Sequence, residues 1–425
     1  MTLYPHQETL LHTLSERDAY GIFWEQRTGK TMPTLLDATN RIMSGDAKDC
    51  LIVAPKSAIG AWKRDMDEFK GERKKACKKI TIINYELVWR RAEYDRPFDI
   101  VILDECHKIA HRTSKQSKFL LTFADRSKYR RILSGTPMGQ GRLEDLYTEM
   151  EFLQKGFFGT YKKFQDRYCK LKTLRGSYVT IVVGYRNKEE LLERVGTMVS
   201  SLRFKDISNV IPDPPDNIVY CKPVDSKVVK QIKNNYVEEF DIVIPNPVVQ
   251  MMKFRQAASG FILDENHVVH NIRGGKSKQT MFSDLLGTIL PEKVVVFAEF
   301  KESIRRIDEV VCSYGVRYLV LNGEQQDKEC WRRFQSDDDM SVIICQYASA
   351  NAGIDLWTAN HMIFYEPSLS TTMTEQSRAR IKIKDKPKAC AYHWLITADS
   401  IEEKIYHQLQ KKQDFTLDNL KAWAV

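Results

Sequence analysis

The sequence predicts an α/β protein: two parallel-sheet domains with a partly helical insertion between them. Three observations carry this expectation. Short, wholly apolar runs alternate with amphipathic stretches over the first 150 residues or so. The same texture returns from about residue 290, and the segment between the two blocks has weaker periodicity and a basic bias.

In chain order, the first block offers candidate strands YGIFW (20–24), CLIVA (50–54), ITIIN (80–84), DIVILD (99–104) and RRILS (130–134). Most are apolar throughout, as strands of a parallel sheet covered on both faces should be. The stretch KTMPTLLDATNRIM (30–43) reads as a helix, with Pro33 in the first turn, where a missing N–H costs nothing. Beyond residue 156 come a hairpin in SYVTIVVGYRN (177–187), a turn-rich IPDPPDN (211–217) and a helical VVQMMKFRQAASGFI (248–262). The second block reads KVVVFAEF (293–300), RYLVLN (317–322), SVIIC (341–345), HMIFY (361–365) and AYHWLI (391–396), with helical segments between. The expected divisions are residues 1–155, 156–275 and 276–425, the middle one belonging to both lobes.

Composition narrows the functional classes. With 425 residues, 43% hydrophobic and 28% charged, the chain can fill ordinary soluble cores. No run approaches the eighteen or so apolar residues of a membrane span, and residues 1–18 lack the pattern of a secretory signal. No membrane partner is expected, and the expected compartment is a bacterial or phage-infected cytoplasm. The nine cysteines show no C-x-x-C pair and are odd in number, so neither a zinc site nor a disulfide framework is expected. The net charge of +9 leaves basic groups for a polyanion without requiring one.

Chemistry concentrates in two places. WEQRTGKT (24–31) ends in the Gly29-Lys30-Thr31 of a phosphate-binding loop, although Trp24 occupies the opening-glycine position. Its context, after a strand and opening a helix, suits an anion: backbone N–H groups attract phosphate, Lys30 can reach the outer phosphates, and the Thr31 hydroxyl can join magnesium. FDIVILDECH (98–107) then ends an apolar strand in two adjacent carboxylates. Asp104 can hold magnesium and Glu105 can orient or deprotonate a water. A chance tripeptide or an acidic helix cap explains either stretch alone, and explains the pair poorly.

GKT followed by DECH resembles the superfamily-two helicase ATPases. LYPHQ (3–7), IVAPKSAIGAW (52–62), INYE (83–86), LSGTP (133–137), LNGE (321–324), SANAGIDLWTANHMIFYEP (349–367) and TEQSRARI (374–381) fall in that family's order, and the set is similar to the Swi/Snf-type branch of double-stranded DNA translocases. The middle segment and DSIEEKIYHQLQKKQ (399–413) also resemble that branch, so the likeness covers roughly residues 1–415. It implies two RecA-like lobes that close on ATP with Mg²⁺. In a loop of this type the opening glycine is often missing, since the residues just before the lysine form the cradle. Without an added reader or nuclease domain, the likeness suggests a compact bacterial or bacteriophage type.

The resemblance assigns roles position by position. Gln7 contacts adenine, and Arg27, Thr28, Gly29, Lys30 and Thr31 hold phosphates, with Thr31 and Asp104 on the metal. Glu105 serves the water. His107, Ser134, Thr136 and Gln376 couple the site to nucleic acid, while Lys56, Ser57, Asn84, Tyr85 and Ser349 lie near the DNA backbone. Asp355 reaches the ribose or an arginine of the last motif, and Arg380 is catalytic. Residues 160–205, with 11 Lys/Arg against 4 Asp/Glu, are expected to add backbone contacts.

One departure bears on turnover. The last motif of this branch reads Q-x-x-x-R-x-x-R; Gln376 and Arg380 match, but the final arginine position is Ile383. That arginine acts as a finger worth about 10³ to 10⁵ in rate. Either Arg380, Arg378, Lys382 or Lys384 substitutes, or a protein partner completes the enzyme. The leading expectation is thus an ATP-dependent double-stranded DNA translocase. The rivals are a strand-separating or annealing helicase, for which no wedge is identifiable in the sequence, and a low-turnover ATP-switched DNA-binding module.

Overall fold

A computed structural model describes residues 3–56, 58–138, 142–173, 180–207, 212–325, 327, 330–350 and 354–411. The chain divides into two compact units, Met1–Asn209 and Val210–Val425. The expected insertion is therefore shared, with residues 156–209 in the first unit and 210–275 in the second.

The first unit contains β1 (Ala19–Trp24), β2 (Cys50–Ala54), β3 (Ile80–Asn84), β4 (Ile100–Asp104), β5 (Tyr129–Leu133), β6 (Cys169–Thr173), β7 (Thr180–Tyr185) and β8 (Val199–Leu202). All but β6 and β7 form one parallel sheet in the order β3-β2-β4-β5-β1-β8. The central strands β2 and β4 are buried almost end to end, as their unbroken apolar sequences require. VSSL of β8 carries no such run, because it is an edge strand with its Ser201 exposed.

Three helices position the first unit's loops: α1 (Pro5–Glu16), α2 (Thr31–Met43) and α3 (Ile59–Asp67). A buried charge cluster holds α1 in place. Asp37 of α2 pairs with Arg131 of β5 at 2.9 Å and with Arg41 at 2.9 Å. Both guanidinium groups then donate to carbonyls at the C-terminal end of α1: Arg41 to Leu14 O at 2.7 Å, and Arg131 to Leu14 O at 2.9 Å and Arg17 O at 2.8 Å. The last carbonyls of a helix lack partners of their own, and here cations supply them.

The second unit contains β9 (Asn217–Cys221), β10 (Tyr236–Val237), β11 (Ile242–Val243), β12 (Phe261–Leu263), β13 (Val269–Asn271), β14 (Val294–Ala298), β15 (Arg317–Leu321), β16 (Met340–Gln346), β17 (His361–Phe364) and β18 (Ala391–Thr397). Its parallel sheet runs β15-β16-β14-β17-β18-β9. β9 is again an edge strand donated by the middle segment. Gly260, after the helix Pro247–Ala258, has φ +86° and lies against Gly275 so closely that an added Cβ would meet its carbonyl oxygen at 2.3 Å. No side chain fits that crossing.

The hairpin differs from its expected form. Residues 177–187 supply only its second strand, β7, whose antiparallel partner is β6. CKLKT alternates lysines with apolar residues and hides its strand character in a basic run. No helix among the described residues is long and apolar enough to cross a membrane.

Candidate functional site

Sheet order brings the motifs together. β4, β5 and β1 are neighbours and parallel, so the turns that follow them share one edge, with Asp104 level with Leu133 and Leu133 level with Ile22. The carboxyl edge of an open parallel sheet is where such folds bind ligands.

After β1 the chain makes a tight loop through two left-handed residues, Arg27 (φ 67°) and Gly29 (φ 78°). Glycine adopts this backbone freely, whereas a non-glycine residue pays about 1–3 kcal/mol. A Cβ at position 29 would stand 2.4 Å from Gln7 Nε2, which donates to Gly29 O at 2.9 Å. Gln7 Oε1 accepts from Tyr4 N at 3.0 Å, and His6 Nε2 donates to Thr28 O at 2.9 Å, so the head of α1 braces the loop. Thr28 Oγ1 donates to Glu25 O at 2.7 Å. The Lys30 ammonium lies inside the loop, donating to Trp24 O at 2.9 Å and to Glu25 O at 3.4 Å. Burial lowers its pKa, opposed by Glu105 and Asp104. Thr31 opens α2.

Trp24 is explained by its place at the end of β1. Its side chain is buried and its indole donates to Ser200 Oγ of β8 at 2.9 Å, so only its carbonyl faces the loop. The cradle begins after it.

Asp104 ends β4, and Glu105 follows with left-handed backbone at φ 54°. Trp62 of α3, itself fully buried, donates its indole N–H to Asp104 Oδ2 at 2.8 Å. Burial, reinforced by Glu105, raises the Asp104 pKa to about 6 against the pull of Trp62 and Lys30. Two carboxylates beside one lysine leave a local negative excess suited to a divalent cation. Glu105 continues into a polar chain: Ser134 Oγ lies 3.4 Å from Glu105 Oε2 and 3.4 Å from His107 Nδ1, and Thr136 N donates to Ser134 Oγ at 3.0 Å. The buried Thr136 hydroxyl has no hydrogen-bond partner among the described residues.

The residues expected at the DNA backbone divide differently. Lys56 is exposed in the turn after β2, while Ser57 lies outside the described residues. Asn84 is spent on its own helix, its side chain accepting from Leu87 N at 2.9 Å. Tyr85 needs correction: it is fully buried, and its hydroxyl donates to Asp104 O at 2.8 Å. A side chain with no exposed surface props the carboxylate strand from within and does not meet a polyanion.

In the second unit, Ser349 lies in the short helix Tyr347–Ala350, and the remainder of the 349–353 loop, residues 351–353, falls outside the described residues. Arg380 Nη1 donates to Ile354 O at 3.4 Å and Arg380 O accepts from Leu356 N at 3.0 Å, which sets Arg380 against the chain flanking Asp355. Gln376 is half-buried on the helix Thr371–Ala379. Ile383 is 36% exposed. Two of its possible substitutes are already engaged. Arg378 Nη1 bonds both oxygens of Asp216, at 2.8 and 2.9 Å, with its guanidinium 3.8 Å from the Tyr392 ring, and Lys382 pairs with Asp213 at 2.6 Å.

Sequence reasoning missed Trp62, although it closes the quoted IVAPKSAIGAW stretch, and missed His6. Neither has a local signal, since their partners come from other segments. The donor set fits a nucleotide with magnesium: a glycine-dependent loop, a half-buried lysine, a hydroxyl at a helix start and hard carboxylate oxygens. Among the described residues no cluster of three or more His, Cys, Asp or Glu could hold a metal by itself, in keeping with an ion that takes one or two carboxylates and completes its shell with phosphate oxygens and water.

Comparison with known proteins places this arrangement. A family model for the SNF2-related domain matches residues 6–295, more than half of the chain. The chain belongs to the SNF2-related family. A model for the helicase conserved C-terminal domain matches residues 277–382 of this SNF2-related chain. Among its relatives, the human DNA annealing helicase and endonuclease ZRANB3 is 23% identical, over 88% of this chain and 36% of that protein. The human DNA repair and recombination protein RAD54B is 21% identical, over 86% of this chain and 47% of that protein. The SNF2-related chain thus spans under half the length of these relatives. A solved structure titled Sulfolobus solfataricus SWI2/SNF2 ATPase core in complex with dsDNA is 21% identical, covers 97% of this chain and 91% of that one, and has a TM-score of 0.46.

Proposed function

We propose that the chain is an ATP-dependent double-stranded DNA translocase, coupling hydrolysis to movement along DNA or to remodelling of DNA or protein–DNA complexes. The observation that carries this reading is the meeting of Lys30, Asp104, Glu105 and Ser134 at three adjacent strand ends. Lys30 and the loop 27–31 bind phosphates, and Gln7 lies beside the loop to receive the base. Thr31 and Asp104 hold magnesium, which neutralises phosphate charge when bound. Glu105 accepts a proton from the attacking water. Ser134 and His107 are placed to sense that change, because both touch the region of its carboxylate. Arg380 and Asp355 keep the roles that the resemblance implies, Arg380 in hydrolysis and Asp355 toward the ribose or an arginine of the last motif. The relatives' names tie them to DNA annealing, repair and recombination, and the basic excess of residues 160–205 supports DNA as the polyanion.

The test is steady-state ATP hydrolysis without nucleic acid, with single-stranded DNA and with duplex. Duplex should stimulate most, and Lys30→Ala and Glu105→Gln should each lower the stimulated rate by about 10² or more. A flat, near-zero rate under all three conditions would sink the autonomous motor.

A second reading, the low-turnover switch completed by a protein partner, is favoured by one observation: Ile383 occupies the finger position while Arg378 and Lys382 are tied to Asp216 and Asp213. Ile383→Arg distinguishes the two, since a steep rise in rate belongs to the switch.

A further inference from the structure

The first unit carries a two-stranded antiparallel ribbon apart from its main sheet. Among the described residues, β6 and β7 pair only with each other. Lys172 stands opposite Ile181, Leu171 opposite Val182 and Thr173 opposite Thr180. The base of the ribbon is anchored, with Cys169 buried and Val182 and Tyr185 packed on the first unit's core. Tyr185 also donates its hydroxyl to Glu144.

The ribbon's other side chains differ in character. Leu171, Ile181 and Val183 are 40%, 40% and 55% exposed, and Lys170 and Lys172 are exposed beside them. Residues 169–185 include no Asp or Glu. Lys172 lies across from Ile181, and Val183 is the extra residue where the register of the two strands shifts, so its side chain stands out beside that pair. An isolated two-stranded ribbon has little stability of its own, and exposed aliphatic groups add nothing to it. Lysines alone would suffice to lie along phosphates. Aliphatic groups flanked by cations match something else: protein wedges of this composition lodge against base steps and unstack them while charges hold the neighbouring phosphates.

We infer that the β6–β7 ribbon is a strand-separating wedge for a DNA fork, with Lys170 and Lys172 on backbone phosphates and Ile181 and Val183 against the terminal base pair. The inference rests on the DNA reading above and adds an activity to it, since translocation along duplex requires no strand separation.

The experiment uses the full chain, a forked duplex with 2-aminopurine in the first base pair of the junction, and a non-hydrolysable ATP analogue. Bound protein should raise the fluorescence severalfold as that base unstacks. The variant I181S/V183S, bound to the same fork to the extent measured by anisotropy, should lose most of the rise, and I181M/V183M should keep it. K170E/K172E should weaken fork binding about tenfold, with the steep salt response of phosphate contacts. No rise with the natural chain, or an equal rise with I181S/V183S, overturns the wedge; the second result leaves the apolar face to a protein partner. Because unstacking is read with hydrolysis blocked, failure of the translocase reading appears separately, as absent duplex-stimulated ATP hydrolysis.

Discussion

Trp62, itself buried, donates its indole N–H to the partly exposed carboxylate proposed to hold magnesium, so the bond sets where Asp104 points. A hydrogen bond to a charged group contributes about 1.5–3 kcal/mol, and 1.4 kcal/mol is a factor of about ten. Trp62→Phe keeps the ring and deletes the N–H. The Mg²⁺ concentration for half-maximal ATP hydrolysis should then rise about tenfold or more, with the melting temperature little changed. An unchanged Mg²⁺ requirement would reduce Trp62 to a packing residue. The residues proposed to be catalytic, Lys30, Asp104 and Glu105, are legible in the sequence because Lys30 opens a helix after a strand and the two carboxylates close one. Trp62 and Asp104 are 42 positions apart, and Arg378 and Asp216 are 162 apart, so only folding makes them pairs.

At the scale of elements, α1 matters out of proportion to its length, because Gln7 and His6 near its start brace the loop proposed to bind phosphate. Its far end is held by Arg41 and Arg131, which share Asp37. Removing one member of a buried ionic cluster leaves uncompensated charge and costs about 3–5 kcal/mol. Asp37→Ala should therefore destabilise the first unit by about that amount in urea unfolding, and should weaken nucleotide binding as α1 loosens. The same elements show what patterning reveals. The central strands β2, β4, β14 and β16 announce themselves as apolar runs. β8 does not, since two serines break its sequence, and β9 (NIVYC) begins inside the turn-rich 211–217, so both sheets are wider than the candidate strands alone imply.

For the whole molecule, two compact units, each with a sheet and cores of its own, predict two unfolding transitions and a van't Hoff enthalpy below the calorimetric one. The transition of the second unit should depend on pH through His393. Asn217 Nδ2 donates to His393 Nδ1 at 2.9 Å, and the Nε2–H can donate to His361 Nδ1 at 3.1 Å, so the neutral ring is fully bonded and a proton on Nδ1 would face a donor. Burial, with His361 adding to it, lowers the His393 pKa from 6.5 to about 4. Burial lowers His361 as well, against the attraction of Glu292 and in the same sense as Lys388 and Lys386. The unfolded chain therefore binds more protons between these values. Stability present above pH 6.5 is lost as pH falls toward 4, by up to about 3 kcal/mol. Calorimetry from pH 7 to 4.5 should show the second unit's transition moving down, and His393→Gln should flatten that movement.

Order along the chain, the central strands, the Gly29-Lys30-Thr31 loop, the paired carboxylates and the isoleucine at 383 are all readable from residues, because each depends on local spacing or on burial that leaves an apolar run. Tertiary structure alone decided the rest. It turned Trp24 into the sheet, set Trp62 and Tyr85 on Asp104, tied Arg378 and Lys382 to carboxylates, and paired CKLKT with TIVVGY in an exposed ribbon. These are contacts between segments far apart in sequence. They depend on strand order and register, and a one-residue slip would move the strand side chains among them to the opposite face.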